Sequence, residues 1–216
     1  MHARFDPPAL GIYLDQQVDA LRTHLPRAIA SAEGLAVHQS RVATRRITSA
    51  LDLVRCDAAD RFARSMRVVR RLLGPLRDAD VMVGHLNDLN ASSDCALGTA
   101  FIQDLLEADK LRGREKLARS FDLVRAQALM VSWASCRADV ARAARRVGPR
   151  LGEQVGALLQ TFSTGAGKSA RRGHVDMHQV RIEGKALRYT LEIADAGGLK
   201  VAPEVAKTFK QMQDHL

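Results

Sequence analysis

The sequence predicts an all-α protein, and three observations carry that class. Apolar residues recur at three- and four-residue spacing over most of the chain. No run of alternating residues bounded by hairpin turns stands out. Gly-Pro pairs at 74–75 and 148–149 interrupt the helical pattern where one helix would give way to the next. With 216 residues and 46% hydrophobic content, the chain can bury a sizeable core without disulfide or metal staples. That content also excludes a disordered basic tail.

The first helix follows from Leu10, Tyr13, Leu14, Val18, Leu21, Leu25 and Ile29, one buried stripe, with Pro8 near its start. A second helix is expected over about 35–55. A third starts near Asp57 and breaks at Gly74-Pro75, because Pro75 lacks a backbone donor; the pattern resumes from Leu76 to Leu89. Residues 90–94 read as a polar turn. Long helical patterns cover about 96–117 and 122–145. Gly148-Pro149 punctuates the chain, and a further helix starts near Arg150. The Gly- and Ser-rich stretch 161–173 reads as a fraying helix end and a loop carrying the basic pair Arg171-Arg172. The last elements are expected at 175–194 and 203–216. Trp133 and Met130 are expected in the core.

Charge narrows the function. Lys and Arg total 33 against 24 Asp and Glu, a net charge of +9 that asks for an anionic partner. Aromatic residues are only 4%, which argues against reading single strands by base stacking. Cys56, Cys95 and Cys136 form no CxxC pair and read as buried, reduced thiols of a cytoplasmic protein. No segment has signal-peptide or membrane-spanning character.

An internal repeat is the most informative feature. Val37-His38-Gln39-Ser40-Arg41-Val42 recurs as Met177-His178-Gln179-Val180-Arg181-Ile182, at an ungapped offset of 140. The same offset pairs Arg45 with Lys185, Ile47 with Leu187, Leu51 with Leu191 and Asp52 with Glu192. At about 100° per residue, His38, Arg41, Arg45, Thr48 and Asp52 share a face, with Ala43, Ile47, Ala50, Leu51 and Val54 opposite. In the second copy the polar face carries His178, Arg181, Lys185, Arg188 and Glu192. Each helix thus offers cations roughly 5–6 Å apart along one face, a spacing suited to successive phosphates of a linear polyanion. A single basic face is usually just solvated. Two matched copies shift the balance towards binding.

These residues resemble a CHAD domain (conserved histidine α-helical domain). The first signature reads His38-Gln39-Ser40-Arg41-Val42-Ala43-Thr44-Arg45-Arg46. The second reads Leu73-Gly74-Pro75-Leu76-Arg77-Asp78-Ala79-Asp80-Val81, and the third runs from His178 to Glu192. The likeness covers essentially the whole chain, 1–216. It implies two pseudo-symmetric antiparallel helical bundles, with halves at about 1–140 and 141–216, around a basic groove. It implies binding of inorganic polyphosphate, association with polyphosphate granules in bacteria, and no catalysis by the module itself. Two departures stand out: Thr48 replaces a basic residue common in the family, and Asp122-Leu123-Val124-Arg125 matches a DSxR motif only in part. Counterparts of roughly 77–140 are missing after residue 216, so the second bundle reads as truncated.

The expected phosphate contacts are His38, Arg41, Arg45, Arg46, Arg77, Arg125, His178, Arg181, Lys185, Arg188 and Lys210. Arg70 is a further candidate to line the groove. Asp78 and Asp80 are expected to hold the cations by salt bridges or to cap the helix after Pro75. No cofactor or metal is expected. Two rivals remain at this level. One is a nucleic-acid-binding protein, since nucleic acid is also a phosphate chain and is expected to bind more weakly. The other is a metal-dependent phosphohydrolase built on Asp78 and Asp80. His174 and His178 lack a third ligand at zinc spacing. Mildly acid pH is expected to charge histidines near phosphate and strengthen binding.

Overall fold

The computed structural model describes residues 5–89, 96–172 and 177–199. Every regular element among the described residues is an α-helix: α1 Pro7–Ser31, α2 Gly34–Val54, α3 Asp57–Leu72, α4 Gly74–Leu89, α5 Ala96–Ser120, α6 Leu123–Ala144, α7 Val147–Arg172 and α8 Met177–Ala196. The turn expected at 90–94 and the helix at 203–216 lie outside the described residues.

Helix ends follow local chemistry. The α3–α4 break falls at Leu73, and Pro75 occupies the first turn of α4, where a backbone N–H has no intrahelical acceptor anyway. Asp122 caps α6 by accepting the Arg125 N–H at 2.8 Å. Leu199 donates to the Ala194 carbonyl and left-handed Gly198 (φ 79°) to that of Asp195, which closes α8 as a Schellman motif. Ala32 (φ 52°) and Arg55 (φ 50°) end α1 and α2 in the same left-handed region without being glycine.

Two expectations at α7 are corrected. The helix begins at Val147, so Gly148-Pro149 lies in its first turn instead of preceding it. Proline is tolerated there for the same reason as Pro75. The stretch 161–172 is helical to Arg172 and not a loop, which places Arg171-Arg172 on α7. Extending an established helix is far less costly than nucleating one, and no proline follows to stop it.

The chain divides into two compact units. A central unit comprises Gln16–Thr48 and Arg61–Ser135; a terminal unit comprises Met1–Asp15, Ser49–Asp60 and Cys136–Leu216. In the central unit α4 packs on α5. Leu21, Leu25, Ile47, Phe62, Met66, Leu73, Leu76 and Leu117 are fully or almost fully buried. Phe62 and Trp133 meet there with ring centroids 5.2 Å apart at 42°, so Trp133 is core as expected, while Met130 is half-buried. In the terminal unit α7 packs on α8, and Leu10, Leu14, Leu51, Leu53, Val147, Leu187 and Ile193 are buried. Asp6 donates its N–H to the Gly197 carbonyl at 2.8 Å. The Phe5 ring lies so close to Gly197 that a Cβ there would clash with it, which requires glycine.

The repeat is visible in burial as well as in sequence. Positions 40 and 180, 44 and 184, 47 and 187, 50 and 190, 53 and 193, and 54 and 194 are buried in both copies. One face assignment is corrected: Thr48 is not on the polar face but buried, its hydroxyl donating to the Thr44 carbonyl at 2.6 Å. Ser40 and Thr44 are buried too, so α2 is packed over more of its circumference than an amphipathic surface helix. Thr44, like Thr48, bonds within its own helix, to the Arg41 carbonyl at 2.9 Å, which makes its burial tolerable; the buried Ser40 hydroxyl meets no partner among the described residues. Cys56 and Cys136 form no disulfide among the described residues and are half-buried instead of buried; Cys95 lies outside the described residues.

Candidate basic site

In the central unit the site is assembled on α2, α3 and α4. His38, Arg41 and Arg45 stand one turn apart on α2, all half-buried, with Arg46 half-buried beside them. Arg41 Nη1 donates to the Arg70 carbonyl at 2.8 Å, in the last turn of α3. That bond meets one of the unpaired carbonyls at the negative end of the helix dipole. The guanidinium also lies beside Gly74, at the α3–α4 break. This is the physical use of the Leu73-Gly74-Pro75 signature: the break brings a helix C-terminus within reach of Arg41.

The field at the site is strongly positive. Burial pushes the His38 imidazole below its ordinary value near 6.5, and Arg77, Arg41 and Arg45 push it further the same way. The Arg41 guanidinium is also lowered, first by burial and then by Arg45, with further lowering from Arg70 and Arg77. Asp78 alone among these neighbours favours its charge. Arg45, Arg70 and Arg77 therefore all act against the Arg41 charge, and Asp78 favours it.

Asp80 acts elsewhere. Its carboxylate meets Lys110 of α5 at 2.7 Å, with the two side chains 12% and 26% exposed. It also lies against the N-terminus of α2, where a Cβ on Gly34 would come within 3.1 Å of Oδ2. Glycine allows that approach, and the positive end of the α2 dipole favours the carboxylate. Asp80 thus ties α4, α5 and the start of α2 together, one turn before His38. Asp78 and Asp80 lie inside α4, so neither caps it. Lys110 was missed by sequence reasoning. It lies outside the repeat, on a helix with little amphipathic pattern, and no local signal marks it.

In the terminal unit α8 carries the second row. Lys185, Arg188 and Glu192 are half-buried. Arg188 Nε lies 3.4 Å from Glu192 Oε1. Arg188 Nη2 donates to the Tyr189 hydroxyl at 3.2 Å, and the guanidinium carbon stands 4.9 Å from the Tyr189 ring centre. The side chains of His178 and Arg181, and all of Lys210 and His174, lie outside the described residues.

Arg125 is exposed on the central unit, and its Nη1 donates to the carbonyls of Ser120 at 2.6 Å and Arg119 at 3.3 Å. It caps the end of α5. Among the described residues no group of three or more His, Cys, Asp or Glu side chains converges as a metal site, and no helix is long and apolar enough to cross a membrane.

A family model, the CHAD domain, matches residues 12–216. The fold is similar to the crystal structure of the CHAD domain from the plant Ricinus communis, with a TM-score of 0.72 and 21% identity over 99% of this chain and 74% of that one. No curated protein matches the chain.

Proposed function

Since the chain belongs to the CHAD domain family, we propose that it is a non-catalytic module that binds inorganic polyphosphate and associates with polyphosphate granules in the cytoplasm. The carrying observation is the row of half-buried His38, Arg41 and Arg45 one turn apart on α2, with Arg77 of α4 near enough to act on His38 and Arg41, and Asp78 as the acidic group acting on Arg41. Clustered like charges are unfavourable in the free protein, and a bound polyanion relieves that repulsion. Arg41 bonds one carbonyl through one of its five N–H donors, which fixes the guanidinium while leaving donors for phosphate oxygens. Lys185 and Arg188 extend binding on α8, joined by His178, Arg181 and Lys210 as further contacts. The low aromatic content favours a bare phosphate chain over single-stranded nucleic acid.

Titration with polyphosphates of defined length, with nucleic acid as competitor, tests the reading. Binding should be micromolar or tighter and weaken steeply with salt. Polyphosphate should displace DNA or RNA, with no displacement in the reverse direction. Replacing Arg41 and Arg181 together by Ala should lower affinity at least 100-fold while helicity persists. Unchanged affinity in that variant, or nucleic acid winning the competition, rejects the assignment. Phosphate release with Mg²⁺ or Mn²⁺ that is lost in Asp78→Asn would instead make the protein a phosphohydrolase.

A further inference from the structure

We propose that the terminal unit holds a second, separate anion site, a pocket for a small organic phosphate at the C-terminal end of α2. A cavity of about 430 Å³ opens there against one face of α7, within the range of small-molecule sites. Arg55 and Arg150 line it, with Glu153 as the acidic residue among the lining groups. Neither guanidinium meets a carboxylate or a carbonyl among the described residues. The pocket therefore keeps a positive excess with forked donors for a phosphate group.

Arg55 occupies the left-handed region at φ 50°, a helix-ending position where glycine is the unstrained choice. The rest of the wall suits an organic body better than a bare phosphate chain. Leu53, Ala157 and Leu158 supply apolar surface, and Gln154 supplies an amide. The two cations of the pocket are not themselves repeated: at the 140-residue offset Arg55 corresponds to Asp195 and Arg150 to Leu10. The polyanion rows are duplicated and this site is not, so it serves a different ligand.

Calorimetric titration of the full chain with adenosine 5′-monophosphate, and separately with inorganic phosphate, tests the site. The nucleotide should bind saturably and at least tenfold more tightly than inorganic phosphate. Arg55→Gly should weaken nucleotide binding at least tenfold while raising the melting temperature, because it removes the guanidinium and the strained side chain together. Arg150→Gln should lose binding to a similar degree with unchanged helicity. Arg41→Ala should leave nucleotide affinity intact, and Arg55→Gly should leave polyphosphate affinity intact, which separates this site from the basic rows. No saturable binding, equal affinity for inorganic phosphate, binding unmoved in both pocket variants, or loss of nucleotide binding in Arg41→Ala overturns the proposal.

Discussion

Helices α2 and α8 descend from one pattern but use their basic rows differently. On α2, Arg41 is locked to the end of α3 through the Arg70 carbonyl, and Thr48 is buried against its own helix. On α8 the position equivalent to Thr48 is Arg188, half-buried beside Glu192 and bonded to the Tyr189 hydroxyl. The apolar positions agree between the copies, and the polar positions diverge. The difference teaches that a repeat can keep its packing while one position serves as a buried hydroxyl in one copy and as a cation in the other. On α2, where position 48 carries no cation, Arg70 and Arg77 act on Arg41 from α3 and α4.

The largest expected effect tests that difference directly. Thr48→Arg should destabilise the protein by about 3 kcal/mol, because a guanidinium would replace a buried, hydrogen-bonded hydroxyl. Polyphosphate affinity should not rise. The reciprocal Arg188→Thr should cost less than about 1 kcal/mol yet weaken polyphosphate binding. Urea denaturation beside binding titration reads both. A stable Thr48→Arg with enhanced binding would show that the two rows are equivalent after all.

Next in size is Asp80→Asn, expected to cost about 2 kcal/mol by leaving Lys110 without its carboxylate in a half-buried setting. Chemical denaturation measures it, and an effect near zero would remove Asp80 from its tying role.

Arg41→Ala should cost about 1.5 kcal/mol through the lost bond to the α3 carbonyl. Lys185→Ala on α8 should cost about 0.5 kcal/mol or less. Equal losses would erase the contrast between the rows.

The smallest effect is one of pH. His38 is held below 6.5 in the folded protein, so the unfolded chain binds more protons as pH falls through 6.5. Stability should be fully present above that value and decline below it, and His38→Gln should flatten the decline. Binding should run the other way. A polyanion that neutralises Arg77, Arg41 and Arg45 raises the His38 value, so affinity should increase from pH 7.5 towards pH 5.5. Parallel melting and binding series at fixed salt would show opposite slopes; slopes of the same sign would remove His38 from the site.

Element positions were legible because they rest on local rules. The apolar stripe gave α1, and Pro75 gave the α3–α4 break. The face of α2 was read correctly for Ile47, Ala50, Leu51 and Val54, which are all buried. It failed at Thr48, because a wheel assigns a hydroxyl by polarity while burial depends on what the neighbouring helices cover. Stretch 161–172 failed for a related reason: Gly and Ser lower helix propensity, yet a helix already nucleated at Val147 runs on. The contact of Arg125 with the carbonyls that end α5 was not legible either, because the partial motif that names Arg125 says nothing of where its side chain bonds.

By itself, the sequence determined the all-α class, the 140-residue repeat and the identity of the α2 cations, since spacing and charge are written along one helix. Tertiary structure alone decided which groups surround them. The bond of Arg41 to the Arg70 carbonyl, the Asp80–Lys110 tie and the pocket at Arg55 and Arg150 join residues far apart in sequence. Such encounters depend on how helices pack, and no local spacing encodes them.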